Sequence, residues 1–177
     1  IGEDYNEDGL FQEFFNSDGA GDVHVDIYGQ VHASYGSMYY MDADTLDGTT
    51  SYFPGTNGMA YWNESMGADS AQIVAYSYDI DESGTLDFED DIAAYYVGSA
   101  AFPSIGSDDA GNLYITYSAI MENFSTGAQN YRHQYVIHSN DGGTTWNTED
   151  ACDLTPDIDY DGYESVFGSI SPAVVDG

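Results

Sequence analysis

Hydrophobic and polar positions alternate along this chain in short bursts, with no long stripe of either kind. Gly29–Tyr35 reads Gly-Gln-Val-His-Ala-Ser-Tyr and Gly111–Tyr117 reads Gly-Asn-Leu-Tyr-Ile-Thr-Tyr. In each, alternate side chains fall on opposite faces, the period of a β-strand. Each follows a turn carrying an aspartate, Asp26 or Asp108. Each is followed by a polar, glycine-bearing loop and a second aromatic strand, Gly58–Glu64 in the first unit and Tyr131–His138 in the second. A third start follows, because Phe167–Ser171 echoes Phe102–Gly106 and Asp176-Gly177 falls where Ala110-Gly111 makes its turn. The pattern predicts an all-β chain built from a repeat.

The repeat spacing is uneven. Gly111 lies 82 positions after Gly29, whereas Phe167 lies 65 after Phe102. An insertion at the Asp-rich stretch Tyr78–Ile92 reconciles the two periods. Ile92–Val97, just beyond it, fits either a strand or a short helix.

The stretch Ser139-Asn140-Asp141-Gly142-Gly143-Thr144-Thr145-Trp146 fits the pattern S-x-D-x-G-x-T-W. Aspartate caps local backbone donors in a tight turn, and glycine takes positive φ without a Cβ clash. Thr145 and Trp146 re-enter extended structure, the indole free to pack into a sheet. The segment resembles the Asp-box of sialidase-like (BNR-repeat) β-propellers, carried by Ser139, Asp141, Gly143, Thr145 and Trp146. The resemblance implies a turn between the third and fourth strands of a blade, a fold element remote from the catalytic centre. Overall the chain resembles the uncharacterised, non-sialidase exoproteins of that family, clearest over Gly21–Gly177.

The expected fold is therefore a β-propeller fragment of about two blades plus the start of a third. Residues 1–20 form an N-terminal segment, 21–78 one blade, 79–92 an inserted calcium loop, 93–166 a second blade, and 167–177 the next blade's start. Propellers close with about 4–8 blades, so the expected protein continues into further blades or pairs with another chain. A β-sandwich of about ten strands is the competing architecture.

Charge sharpens the picture. There are 32 acidic residues against one basic residue, Arg132, giving a net charge of -31. Nucleic-acid phosphates and anionic membranes are repelled by such a surface. With 42% hydrophobic and 15% aromatic residues the chain still suits a packed β protein, unlike a disordered acidic tail. Countercharge must come from outside, bound Ca²⁺ being one source. No apolar run approaches a membrane span of about 18 residues. Cys152 is alone, and the sequence starts at Ile1 without a signal-like apolar segment, as in a processed or trimmed protein.

Asp79–Asp90 follows a 12-residue calcium loop. Asp79, Asp81, Ser83, Asp87 and Asp90 occupy the oxygen-ligand positions, Thr85 offers its carbonyl, and Gly84 makes the central turn. Alternate spacing gathers these oxygens around one point, which suits a hard cation. Asp90 in place of a glutamate at the last position resembles dockerin loops more than EF-hands. Two half-matches exist, Asp4-Tyr5-Asn6-Glu7-Asp8-Gly9 and Asp157-Ile158-Asp159-Tyr160-Asp161-Gly162. Their candidate ligands are Asp4, Asn6 and Asp8, and Asp157, Asp159 and Asp161. Three sites would neutralise roughly six charges, leaving most of the acid as a hydrated surface.

The resemblance to sialidases does not extend to activity. That family clamps its substrate carboxylate with three arginines, and this chain has Arg132 alone, expected to pair with a neighbouring Asp. Other glycoside hydrolases need only two carboxylates, and among so many acids no catalytic pair stands out. His24 and His32 share strand parity, a pattern of packing. Tyr39-Tyr40, Tyr61-Trp62 and Tyr95-Tyr96 suit either sugar stacking or packing between blades. Asn63-Glu64-Ser65 and Asn123-Phe124-Ser125 are sequons. The expected role is a secreted or cell-surface, calcium-stabilised scaffold or recognition module for an extracellular protein or glycan. The alternatives are a piece of a carbohydrate-active enzyme with its site on other blades, and a subunit of an extracellular filament.

Overall fold

The computed structural model describes residues 14–42, 46–68, 70–156 and 163–175. Two antiparallel sheets account for its regular structure. The first holds β1 (Phe14–Val25), β2 (Val31–Met41), β3 (Ser51–Phe53), β4 (Met59–Asn63) and β5 (Gln72–Ala75). Its order is β1-β2-β4-β5, with β3 pairing the far end of β2. The second holds β6 (Ala100–Ser107), β7 (Leu113–Ser125), β8 (Asn130–Ser139) and β9 (Cys152–Asp153), in the order β6-β7-β8-β9. The expectation of an all-β chain holds, and neither sheet closes on itself. Beyond the strands there is one 3-10 turn, Thr148–Asp150, and no α-helix among the described residues.

The hairpins that start the two sheets share one hydrogen-bond pattern. Asp26 Oδ1 accepts from the backbone N–H groups of Tyr28 and Gln30, and Asp108 Oδ1 from those of Ala110 and Asn112. Gly29 N–H donates to the Asp26 carbonyl and Gly111 N–H to the Asp108 carbonyl. Both glycines sit at φ +84°, where any other side chain is strained.

The first strands lie side by side. Asp22 Oδ2 accepts from the N–H of Ile105 at 2.9 Å, and His24 Nε2 is 2.8 Å from Ser107 Oγ, each pair separated by 83 positions. Residues 163–175 then run along β6: Ser107 makes a parallel bridge with Ala173, and Ile170 N–H donates to Ser104 Oγ, 66 positions away. Both β1 and β6 carry a bulge, between Ser17 and Gly21 and between Ala101 and Ser104.

The core lies between the sheets. Leu113, Ile115, Tyr117, Ala119 and Ile137 of the second meet Met59, Tyr61, Val74 and Ala75 of the first, all essentially inaccessible. Each large apolar side chain removed from water contributes roughly 1.5–3 kcal/mol.

Several details differ from the sequence reading. β1 starts at Phe14 and runs through residue 20, so the first sheet begins ahead of residue 21. Ile92–Val97 is neither strand nor helix; Tyr96 N–H closes a turn onto the Ala93 carbonyl. Among the described residues Arg132 pairs with no aspartate. Its two terminal nitrogens donate to the carbonyls of Ser99 (3.0 Å) and Gly98 (2.9 Å), deep in the fold. Burial lowers its pKa to about 10, so the guanidinium stays charged at neutral pH. Asn63 is buried, with its amide on Tyr61 and the Gly142 carbonyl, and is no glycan acceptor in the folded chain.

Candidate functional site

The segment after β5 is tied down before its acids begin. Tyr78 Oη is 2.9 Å from Tyr117 Oη and donates to the Thr148 carbonyl at 2.9 Å. From there residues 79–91 leave the sheet and return to the β7–β8 hairpin, where Asp91 bridges Gln129.

Inside this loop the carboxylates turn toward one another. Asp79 accepts from the N–H groups of Ser83 (3.0 Å) and Gly84 (2.6 Å), and Asp81 from that of Ser83 (3.0 Å). Gly84 stands at φ +90°, the central turn its sequence position predicts. Ser83 Oγ donates to the Thr85 carbonyl, and Thr85 Oγ1 to Asp87. The Ser83 N–H holds the Asp81 carboxyl below the ordinary range, so it is ionised at neutral pH.

A third carboxylate comes from outside the loop. Glu122 on β7 is fully buried, and its two oxygens accept from the N–H groups of Ile80 and Asp87, both at 2.7 Å. One carboxylate thereby clamps both limbs of the loop. Oxygens of Asp79, Asp81 and Glu122 all lie within 4.8 Å of one another. An all-oxygen, anionic donor set fits a hard divalent ion, Ca²⁺ before any softer metal. The local countercharge is otherwise missing, because Arg132 is the chain's sole basic residue and its fork is spent on Gly98 and Ser99.

The motif's residues do not all gather. Asp79 and Asp81 join the cluster, and Ser83 and Thr85 stand beside it. Asp87 presents its N–H to Glu122 and one carboxylate oxygen to Thr85. Asp90 turns away: it accepts from Ser125 Oγ, and its N–H donates to Asn130. Glu122 was missed by the spacing argument because it is 32 positions beyond the loop's last ligand position. Its signal was an acid at the end of the apolar run Tyr117–Met121, where a bare charge is costly to bury. Asp4, Asn6, Asp8, Asp157, Asp159 and Asp161 lie outside the described residues.

The Asp-box turn sits between β8 and β9, the third and fourth strands of the second sheet. Asp141 accepts from the N–H groups of Thr144 and Thr145 and from the hydroxyls of Thr145 and Ser139. The Thr145 N–H is the largest influence, and together these donors lower the carboxyl to about 2. Ser139 Oγ also accepts from Gly143 N–H. Trp146 meets Tyr61 of the first sheet edge-on, centroids 4.9 Å apart. Tyr61 Oη is 2.7 Å from His32 Nδ1, and burial pushes that phenol up to about 12. The box thus braces one sheet against the other.

His24 and His32 stack with centroids 6.4 Å apart, His24 Nε2 on Ser107 Oγ and His32 Nδ1 on Tyr61 Oη. His32 Nε2 stands 3.4 Å from Asp26, outside good hydrogen-bond geometry. Cys152 is exposed on β9.

No protein-family model matches this chain, and no curated protein does. Among solved structures it is similar to a protein of unknown function from Dyadobacter fermentans DSM 18053, at 14% identity and a TM-score of 0.45. The match covers 77% of this chain and 35% of that one, so this chain spans about a third of that protein's length. Among the described residues no helix is long and apolar enough to cross a membrane.

Proposed function

We propose that this chain is part of a calcium-stabilised β-propeller acting outside the cell as a non-catalytic scaffold or recognition module. The observation that carries the reading is the contact between counterpart positions. Asp22 meets Ile105 after 83 residues, and Ser104 meets Ile170 after 66. Meanders arrayed radially, with their first strands parallel around an axis, set each residue beside its own repeat. Sheets stacked as a sandwich bring faces together across a core and produce no such offset.

The calcium half of the reading is supported by the Asp79–Asp81–Glu122 cluster. Asp79 and Asp81 would hold the ion through their carboxylates and the Thr85 carbonyl would add a neutral oxygen, while Glu122 keeps the loop folded. The ion would supply positive charge to a surface that has none to spare. Against a sialidase in particular stands Arg132, whose buried fork is unavailable to clamp a substrate carboxylate.

Thermal melting of the full chain in calcium and in EGTA tests this. An ion at about 100 times its Kd stabilises the native state by about 2.7 kcal/mol, a rise of roughly 5–10 °C for a domain of this size. Asp79→Ala with Asp81→Ala should abolish the rise. An identical midpoint in calcium and EGTA counts against a structural ion, and a rise that survives the double substitution places the ion elsewhere.

A further inference from the structure

We propose that His32 senses acid: a proton taken up by its buried ring redirects the Tyr61 hydroxyl and disturbs the join between the two sheets. This goes beyond the proposed function and uses neither the acidic cluster nor a bound ligand.

The hydrogen bonds around His32 fix where its protons sit. The ring, on β2, is inaccessible to solvent, and its Nδ1 lies 2.7 Å from Tyr61 Oη. Tyr61 Oη accepts from Asn63 Nδ2 at 3.1 Å. The other acceptor for its own proton, the Gly142 carbonyl, stands at 3.5 Å and is shared with the Asn63 amide. Tyr61 therefore donates to the nearer His32 Nδ1, and the neutral ring carries its single proton on Nε2. That nitrogen is buried with no hydrogen-bond partner among the described residues, 3.4 Å from Asp26 Oδ2. A second proton has one place to go, Nδ1. Both ring nitrogens are then donors. Tyr61 must accept from the ring and turn its own proton to Gly142, too distant for a good bond unless the turn draws in. Gly142 belongs to the Asp-box, whose Trp146 packs edge-on against the same Tyr61. Trp146 Nε1 also lacks a hydrogen-bond partner among the described residues, so packing alone holds the indole. A proton on His32 thus reaches the contact that braces one sheet against the other.

Titratable groups face the ring from every side. Asp26 comes from the β1–β2 turn, His24 from β1, Tyr61 from β4 and Glu64 from just beyond it. Asp141 of the Asp-box acts on Tyr61 from the other sheet, and β6 contributes Ser107, which is uncharged, through His24. Burial is the largest influence on the imidazole and lowers it from the usual 6.5; His24 acts in the same direction, and Asp26 and Glu64 oppose it. A folded value below the unfolded one means that acid favours the unfolded chain. The stabilisation from a neutral ring is complete above about pH 6.5 and is lost as the pH falls below it.

The second sheet is the internal control. Tyr114 stands 82 positions after His32, as Asp108 does after Asp26, and its hydroxyl donates to Asp108 at 3.2 Å. A phenol takes up no charge in acid, so the equivalent aspartate is paired there without proton sensitivity.

The test follows the full chain from about pH 8 to 4.5, in calcium and in EGTA. The His32 ring signals in NMR should titrate below 6.5. In a Trp62→Phe background, which leaves Trp146 as the one tryptophan, emission should change with the same midpoint as the ring. His32→Asn keeps a carbonyl acceptor for Tyr61 and cannot take the proton. It should abolish the emission change, and the parent should lose stability relative to it, by urea denaturation, as the pH falls. Tyr61→Phe should uncouple the two signals: the ring still titrates and the emission no longer follows. The proposal is overturned if His32 titrates at or above 6.5, if Trp146 emission stays flat while the ring titrates, or if emission changes equally in His32→Asn. Should either variant fail to fold, the ring and emission titrations of the Trp62→Phe chain still decide. The response should be the same in EGTA, so its absence beside a calcium-dependent melt removes the sensor alone, and the converse result removes the calcium reading alone.

Discussion

Asp141, in the turn after β8, and Asp79, in the turn after β5, sit in similar local settings. Each opens a loop in which a glycine at positive φ follows, Gly142 and Gly143 in one case and Gly84 in the other. Each accepts from backbone N–H groups within five residues. Yet Asp141 is a lone carboxylate that collects four donors from its own turn, two N–H groups and two hydroxyls. Asp79 shares its loop with Asp81, and both accept from the same Ser83 N–H. Donors per unit of negative charge are scarcer there, and a third acid, Glu122, lies beneath. A short polar loop can satisfy one carboxylate by itself. Several converging carboxylates repel one another unless a cation joins them, and Arg132, the chain's sole basic residue, is engaged by Gly98 and Ser99.

Glu122 is where the contrast can be broken most forcefully. Replacing Glu122 with Ala strips the N–H groups of Ile80 and Asp87 of their buried carboxylate acceptor. Loss of two charge-assisted hydrogen bonds should cost about 3–5 kcal/mol by urea denaturation. If Glu122 only contributed charge to an ion, the loss would vanish in EGTA; the hydrogen bonds predict that it persists there. A loss confined to calcium-containing buffer would recast Glu122 as a ligand first and a clamp second.

The self-contained turn is probed by Gly143→Ala. Gly143 sits at φ +88°, and a Cβ there would stand 2.0 Å from Tyr61 Oη. Positive φ and a clash with a buried phenol together should cost about 2–4 kcal/mol. Gly84→Ala, at φ +90° with nothing within 4 Å, carries only the backbone penalty, about 1 kcal/mol. Equal losses at the two sites would mean that the box is not braced against the first sheet.

The sequence made one of these turns far more legible than the other, for a physical reason. The Asp-box is closed within eight residues, so its spacing states its hydrogen bonds almost completely. What spacing could not state is its partner, since Tyr61 arrives from another sheet 80 positions earlier. The strand hairpins at Asp26 and Asp108 were legible on the same ground, every bond being made within five positions. The acidic loop was legible only in its first half. Asp79, Asp81 and Gly84 take their expected places because a turn fixes near neighbours. Asp90 lies at the re-entry point, where pairing with the β7–β8 hairpin outweighs the loop's own geometry and sends its carboxylate to Ser125. Glu122 enters through β7, and no periodicity in 79–90 encodes that. Arg132 failed for a related reason: the expectation of a carboxylate partner assumed a surface residue, whereas its strand position buries it against two carbonyls.

The gentlest probe of the comparison is pH. Asp141 titrates at about 2 in the folded chain against 3.8 ordinarily. A depressed folded value means that its stabilisation is fully present above about pH 4 and is lost as pH falls through 2. The group is exposed, so solvent screening limits the effect to about 1 kcal/mol. Asp141→Asn should therefore lower stability by about that much at pH 6, and the difference from the parent chain should shrink toward zero near pH 2. The acidic loop should respond differently under the same titration. On the calcium reading, protons compete with the ion for the loop's carboxylates, so the calcium-dependent part of the melting midpoint should shrink as the pH falls. Urea titrations of the parent chain and Asp141→Asn from pH 2 to 6, in calcium and in EGTA, separate the two. A single acid transition shared by both turns, unchanged by EGTA, would show that the loop's acids are as well satisfied internally as Asp141 is, and the distinction between the two regions would fall.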